Sequence, residues 1–165
     1  MQGRLQKLVL NDIGPEVAAV ATDRIRSYAG SPAAFATVSE LEAYFRTIYR
    51  PYGWLSDDHW RLLTDTSMRR TAAGKVTPHY DPKMVMQFEL HPNDYELWDA
   101  YDRITAPTLC LRGESSDLLL PETAEEMRRR GPSALVVTIS GCGHAPALNV
   151  PGQFDLVRRF FNGES

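Results

Sequence analysis

Asp117 and His144 are the side chains whose setting in the sequence best suits proton-transfer chemistry. Asp117 closes a polar turn, Gly113-Glu-Ser-Ser-Asp117, just after the apolar run Thr108 to Leu111, and His144 ends Ser140-Gly-Cys-Gly-His144 after a second apolar run, Leu135 to Ile139. A carboxylate that fixes an imidazole tautomer and an imidazole that takes a proton from a hydroxyl are two members of a nucleophilic triad. The third member, a hydroxyl on a sharp Gly-x-Ser-x-Gly turn, has no counterpart in the 165 residues. An acid and a base are present without the nucleophile they would serve.

Each neighbouring candidate has a plainer reading. Asp12 also ends a strand-like run and stands as the reserve acid, although beside Gly14 and Pro15 it reads as a turn residue. Asp117 itself could do no more than cap its turn, and His144 could be a surface histidine like His59, His79 or His91. Cys142 lies too close to His144 in sequence to be its nucleophile, which needs a separate rigid turn, so it reads as a packing residue. Ser115 and Ser116 read as turn residues with local hydrogen bonds.

Three apolar runs must carry these loops: Leu8 to Leu10, Thr108 to Leu111 and Leu135 to Ile139. Each is nearly continuous, the pattern of a parallel strand buried on both faces. Between the second and third, Pro121 to Gly131 places proline and acids first and arginines and glycine last, the order of a helix. The run Arg128 to Arg130 reads as its solvated end. Phe154, Val157 and Phe161 then repeat at helical spacing beyond Pro151. Residues just after neighbouring parallel strands meet at one sheet edge, which is how Asp117 and His144 would come together.

From Pro15 to Arg103 several helical patterns occur and no buried strand. Pro15 and Glu16 open a first helix with Val17, Val20, Ala21 and Ile25, and Ser39-x-x-Glu42 reads as a capping box for a second with Leu41, Phe45 and Ile48. Ser56 opens a third with Trp60 and Leu63, and Asn93 or Asp94 a short fourth through Tyr101. Gly74 to Pro92 reads mostly as loop.

Composition narrows the class. With 43% hydrophobic and 24% charged residues the chain is expected to be a soluble globular protein, and a net charge of −3 without a dense basic face argues against nucleic acid. No run is long enough to span a membrane. Two cysteines make no disulfide framework, and no Cys/His spacing suits zinc, so the expected compartment is the cytoplasm. The start, Met1-Gln-Gly-Arg-Leu-Gln-Lys, runs straight into the first strand and is read as an abrupt, truncated beginning without a leader.

Leu8-Val-Leu-Asn-Asp-Ile-Gly-Pro15, a helical insertion, Arg112-Gly-Glu-Ser-Ser-Asp117 and Gly141-Cys-Gly-His144-Ala-Pro146 together resemble the second half of an α/β-hydrolase. The resemblance covers essentially the whole chain, from that fold's sixth strand through its cap to its last helix. It implies an α/β fold: a short parallel sheet of about three strands with flanking helices and an all-helical cap, divided as residues 1–14, 15–103 and 104–165. In that family the acid commonly follows the seventh strand and the histidine the eighth, which match Asp117 and His144, while some members place the acid after the sixth, at Asp12. The first five strands, the nucleophile turn and the oxyanion loop have no counterpart here.

The resemblance further implies hydrolysis of a small, largely apolar substrate, an ester or a carbon-carbon bond, with no cofactor and no metal. The nucleophile in relatives is serine, aspartate or cysteine. Phe45, Trp54, Trp60, Tyr80, Phe88 and Trp98 fall in the insertion, and Trp54, Tyr80 and Trp98 are the expected pocket residues, though such aromatics also serve as core. The chain alone is expected to be nearly inactive. Two further expectations concern partners: self-association into a homo-oligomer, or docking on an N-terminal hydrolase half that pairs with the open strand edge.

Overall fold

The computed structural model describes residues 5–164. Residues 1–4, which carry most of the abrupt start, and Ser165 lie outside the described residues. In chain order the elements are β1 (Leu8–Asn11), α1 (Ala19–Ala29), α2 (Val38–Ile48), α3 (Asp57–Thr66), β2 (Met68–Arg70) and β3 (Val76–Pro78). There follow α4 (Gln87–Leu90), α5 (Trp98–Tyr101), β4 (Thr108–Gly113), α6 (Pro121–Met127), β5 (Leu135–Ile139) and α7 (Pro151–Asn162). The chain forms two compact units, one of Met1–Ala21, Pro51–Gly53 and Asn93–Ser165, the other of Thr22–Arg50 and Trp54–Pro92.

The first unit is built on a parallel sheet in the order β1-β4-β5. Leu8 stands opposite Thr108 and Leu109 opposite Leu135, so all three strands point the same way and their following loops gather at one edge. Only β4 is buried along its whole length; β1 is half-buried, and β5 exposes Leu135 and Thr138. The expectation of three fully buried strands thus holds for the central one, which alone has a described neighbour on each side.

Side chains alternate between two cores, as the two-residue period of a strand requires. Cys110, Leu10 and Val136 pack with Leu119, Ala124 and Met127 from the α6 side. Leu109, Leu111, Val9 and Ile139 pack with Leu156, Val157 and Phe160 of α7. Pro121 and Pro151 begin their helices, where a missing N–H costs nothing. At the far end of α7, Gly163 takes the left-handed conformation, and Lys7 Nζ donates to the carbonyls of Phe160 at 2.6 Å and Phe161 at 3.0 Å.

The arginine run departs from a purely solvated helix end. Arg128 donates to the Val136 carbonyl at 2.8 Å, and Arg130 pairs with Asp102 at 2.5 Å while lying over the Trp98 ring at 4.5 Å. These side chains brace α6 against β5 and α5.

The second unit is not all helical. β2 and β3 form an antiparallel hairpin around Gly74, whose φ of +77° suits a turn, and Val76 is buried with Leu41, Phe45 and Trp60. Strands of three residues, with Arg69 and Arg70 exposed, leave no apolar run to read. The capping box of α2 is Thr37 with Glu40, not Ser39 with Glu42; Glu42 instead pairs with Arg46 at 2.7 Å. Pro15 and Glu16 precede α1, which starts at Ala19, and Glu16 bridges to Glu96. The proposed fourth helix is a 3-10 turn, Pro92–Tyr95, followed by α5, and from Asn93 onward both belong to the first unit.

The loops after β4 and β5 touch backbone to backbone. A Cβ on Gly113 would fall 2.1 Å from the Gly143 carbonyl oxygen, whereas one on Gly152 would meet nothing within 4 Å. Gly113→Ala is therefore expected to cost about 3 kcal/mol, lowering the thermal midpoint by roughly 6–12 °C. Gly152→Ala should stay within about 1 kcal/mol of the parent, and thermal denaturation followed by circular dichroism compares the two.

Candidate active site

The carboxylate that meets His144 is Asp12. Asp12 follows β1, is fully buried and has φ +56°, a left-handed conformation that a short acidic side chain tolerates better than most. That conformation turns its carboxylate and its own carbonyl toward the same imidazole: His144 Nδ1 lies 3.0 Å from Asp12 Oδ2 and 3.1 Å from Asp12 O. Two further donors hold the carboxylate. The Gly113 N–H donates to Oδ1 at 2.7 Å, and the Ser116 hydroxyl to Oδ2 at 2.5 Å.

This arrangement determines the chemistry of the ring. Both oxygens facing Nδ1 are acceptors, so Nδ1 carries the hydrogen and, in the neutral imidazole, Nε2 keeps the lone pair. An imidazole so oriented can remove a proton from a hydroxyl at Nε2 and later return it. His144 keeps 28% of its side-chain surface exposed, enough for a reacting group to reach it.

The loop carrying His144 is held from three directions. Gly143 N–H donates to the Pro51 carbonyl at 2.7 Å, Asn11 Nδ2 to the Pro146 carbonyl at 2.9 Å, and both Ser115 N–H and Oγ to the Cys142 carbonyl at 3.0 and 3.1 Å. Gly141 N–H donates to Glu114 at 3.1 Å.

Where the sequence favours Asp117 and keeps Asp12 in reserve, the geometry sets Asp12 against His144. Asp117 is half-buried in the turn between β4 and α6. The same turn holds Ser116 buried, where its Oγ accepts the N–H groups of Leu118 at 3.2 Å and Leu119 at 3.1 Å. Ser116 does make the local bonds read from the sequence, but it also reaches Asp12 across the sheet, and nothing local in the sequence signals that. Arg112, buried on β4, braces the same turn by donating to the carbonyls of Leu119 at 2.9 Å and Glu114 at 3.3 Å.

Cys142 is buried and its thiol donates to the Ile139 carbonyl at 3.4 Å. Burial, then the charge of Asp12, pushes its pKa up, so it carries little of the thiolate that a nucleophile needs. Burial raises the Cys110 thiol to about 12. Of the other histidines, His59 closes the cap of α3 through Nδ1 and His79 meets the Thr66 carbonyl.

The three expected pocket aromatics, Trp54, Tyr80 and Trp98, are divided between the two units. Trp98 belongs to the first unit, where it stacks edge-on to Tyr101, lies under Arg130 and donates toward Glu16 at 3.3 Å. Trp54 and Tyr80 belong to the second. Trp54 is 67% exposed and edge-on to His59; Tyr80 donates to the Tyr28 carbonyl at 3.4 Å, and burial raises its pKa to about 12. Among the described residues no group of three or more His, Cys, Asp or Glu could hold a metal ion, and no helix is long and apolar enough to cross a membrane.

A parallel sheet flanked by α6 and α7, with a histidine after its edge strand set against a buried carboxylate, is the C-terminal portion of the α/β-hydrolase fold, and the chain belongs to that superfamily. It is similar to the 3-hydroxybutyrate-oligomer hydrolase of Cupriavidus necator, 35% identical over 96% of this chain and 57% of that protein. Among solved structures, an α/β hydrolase from Novosphingobium aromaticivorans is 31% identical with a TM-score of 0.77, matching 96% of this chain and 57% of that one. A structure from Rickettsia typhi assigned to the hydrolases gives a TM-score of 0.86 at 25% identity, over 98% of this chain and 55% of that one. The chain therefore spans little more than half the length of the relatives it matches. No protein-family model matches it.

Two outcomes test this geometry. Asp12→Ala should cost on the order of 3 kcal/mol, because three donors lose a buried acceptor; urea unfolding measures it, and a near-neutral result would mean that the carboxylate is not held as described. Native-state labelling by a disulfide reagent should be slow at neutral pH and accelerate as pH rises, since thiols with raised pKa values form thiolate only under alkaline conditions. Rapid labelling of Cys110 in the folded chain at neutral pH would contradict its burial.

Proposed function

We propose that this chain supplies the general base and its orienting acid to an ester hydrolase. His144 takes the proton of a nucleophile at Nε2, Asp12 holds its tautomer and stabilises the imidazolium, and the same proton then passes to the leaving group. The observation that carries this reading is the bond from His144 Nδ1 to Asp12 Oδ2 at 3.0 Å, in a carboxylate already fixed by two other donors. The nucleophile and the oxyanion donors would come from polypeptide outside these 165 residues, either further sequence of a longer protein or a separate subunit. A cytoplasmic location and the absence of a cofactor belong to the same reading.

The relatives and the side chains together support one substrate class. A short ester of a hydroxyacid, such as a 3-hydroxybutyrate oligomer, is an apolar chain punctuated by ester carbonyls, which suits acyl transfer. The unit of residues 22–50 and 54–92 would act as the cap that selects it, and Trp54, Tyr80 and Trp98 would be the contact residues. A carbon-carbon bond substrate is the less favoured alternative. Without the hydroxyl and oxyanion donors, the chain by itself should show almost no turnover.

The test uses the chain and a chimera in which it replaces the matching stretch of the Cupriavidus necator hydrolase. The chain alone should not hydrolyse p-nitrophenyl acetate above background. The chimera should hydrolyse a 3-hydroxybutyrate dimer, and His144→Ala or Asp12→Asn should lower kcat by about 10³–10⁴ while Asp117→Asn stays within about tenfold. Turnover by a folded chimera that ignores His144→Ala would sink the proposal, as would robust esterase activity of the chain alone that His144→Ala abolishes.

A second reading is favoured by the sheet order. β1 pairs with β4 on one edge only among the described residues, and an open strand edge is a template for another strand. The chain would then self-associate or dock on an N-terminal hydrolase half through β1. Sedimentation across a wide concentration range should show assembly, and a strictly monomeric chain would remove the self-associating form.

A further inference from the structure

We propose that Ser116 is a positioning residue for His144, a hydroxyl whose single proton is committed to Asp12 Oδ2 so that Asp12 faces the imidazole as an acceptor and nothing else. The inference rests on the reading of Asp12 and His144 as orienting acid and base, and it adds the group that keeps that acid in the required state.

The argument is a count of donors and acceptors. A serine oxygen has two lone pairs and one hydrogen. The amides of Leu118 and Leu119, at 3.2 and 3.1 Å, can only donate, and they occupy both lone pairs. The hydrogen is then left for Asp12 Oδ2, 2.5 Å away, a separation typical of a hydroxyl on an ionised carboxylate. Ser116 is 6% exposed, so water does not offer the hydrogen another acceptor.

The consequence passes through Oδ2, the oxygen that also receives His144 Nδ1–H. A proton on Oδ2 would confront the Ser116 hydrogen, and Oδ1 is taken by the Gly113 N–H. Every group around the carboxylate therefore demands an acceptor, and the imidazole can meet it only as the Nδ1–H tautomer. A serine that merely shaped the turn would need its lone pairs alone. The hydrogen on Oδ2 is what a turn-forming role leaves unexplained.

The experiment is a long-range ¹H–¹⁵N spectrum of the histidine rings in the ¹⁵N-labelled 165-residue chain, recorded where the imidazoles are neutral. The parent should show His144 protonated at Nδ1. Ser116→Ala should raise the Nε2–H fraction severalfold, and Ser116→Thr, which keeps the hydroxyl, should return it toward the parent value. If Ser116→Ala does not fold by circular dichroism, Ser116→Cys, of similar volume but a weak donor, is measured in its place with the same expectation. A parent tautomer ratio in the alanine or cysteine variant overturns the role of Ser116 and leaves the acid–base pair standing. A parent chain with His144 protonated at Nε2 overturns the pair, and this inference with it.

Discussion

The first unit depends on one buried charge. An ionised carboxylate removed from water is costly unless donors replace the lost hydration, and Asp12 is fully buried. Its donors come from the end of β4, from the turn before α6 and from the loop after β5, so satisfying one side chain ties three chain segments to the end of β1. The close approach of Gly113 and Gly143 belongs to the same arrangement, since side chains there would push the histidine loop away from the carboxylate.

The sheet provides the rigid base for that junction. β4 is central and wholly buried, parallel to β1 and β5, and the two cores on its faces lock α6 and α7 in place. Parallel order matters because it places the loops that follow each strand at one edge. Arg128 and Arg130 hold α6 to β5 and α5 from outside, so the turn carrying Ser116 is anchored at both ends. Rigidity of this kind is what the proposed base would need, because an imidazole displaced by an ångström would lose its reach to a nucleophile.

Much of this was legible before the structure. The strands, the α6 and α7 helices and the loop position of His144 follow from apolar runs, proline and glycine placement and charge order, which are local patterns. The hairpin of β2 and β3 was not, because strands of three residues with exposed arginines carry no periodicity. The start of α2 is ambiguous by two residues in the sequence, since Thr37-x-x-Glu40 and Ser39-x-x-Glu42 satisfy the same pattern. The contacts of Trp98 with Glu16 and Arg130 were not legible either, because these partners are distant along the chain.

By itself the sequence determined the fold class and singled out His144 in the loop after the third strand, because both rest on short-range signals. Only the tertiary structure decided which carboxylate stands behind the imidazole. Asp12 and Asp117 each follow a strand at the same sheet edge, and no local pattern separates them. The choice came from the left-handed backbone at Asp12 and from the turn that presents Ser116 inward, both set by hydrogen bonds between residues about a hundred positions apart.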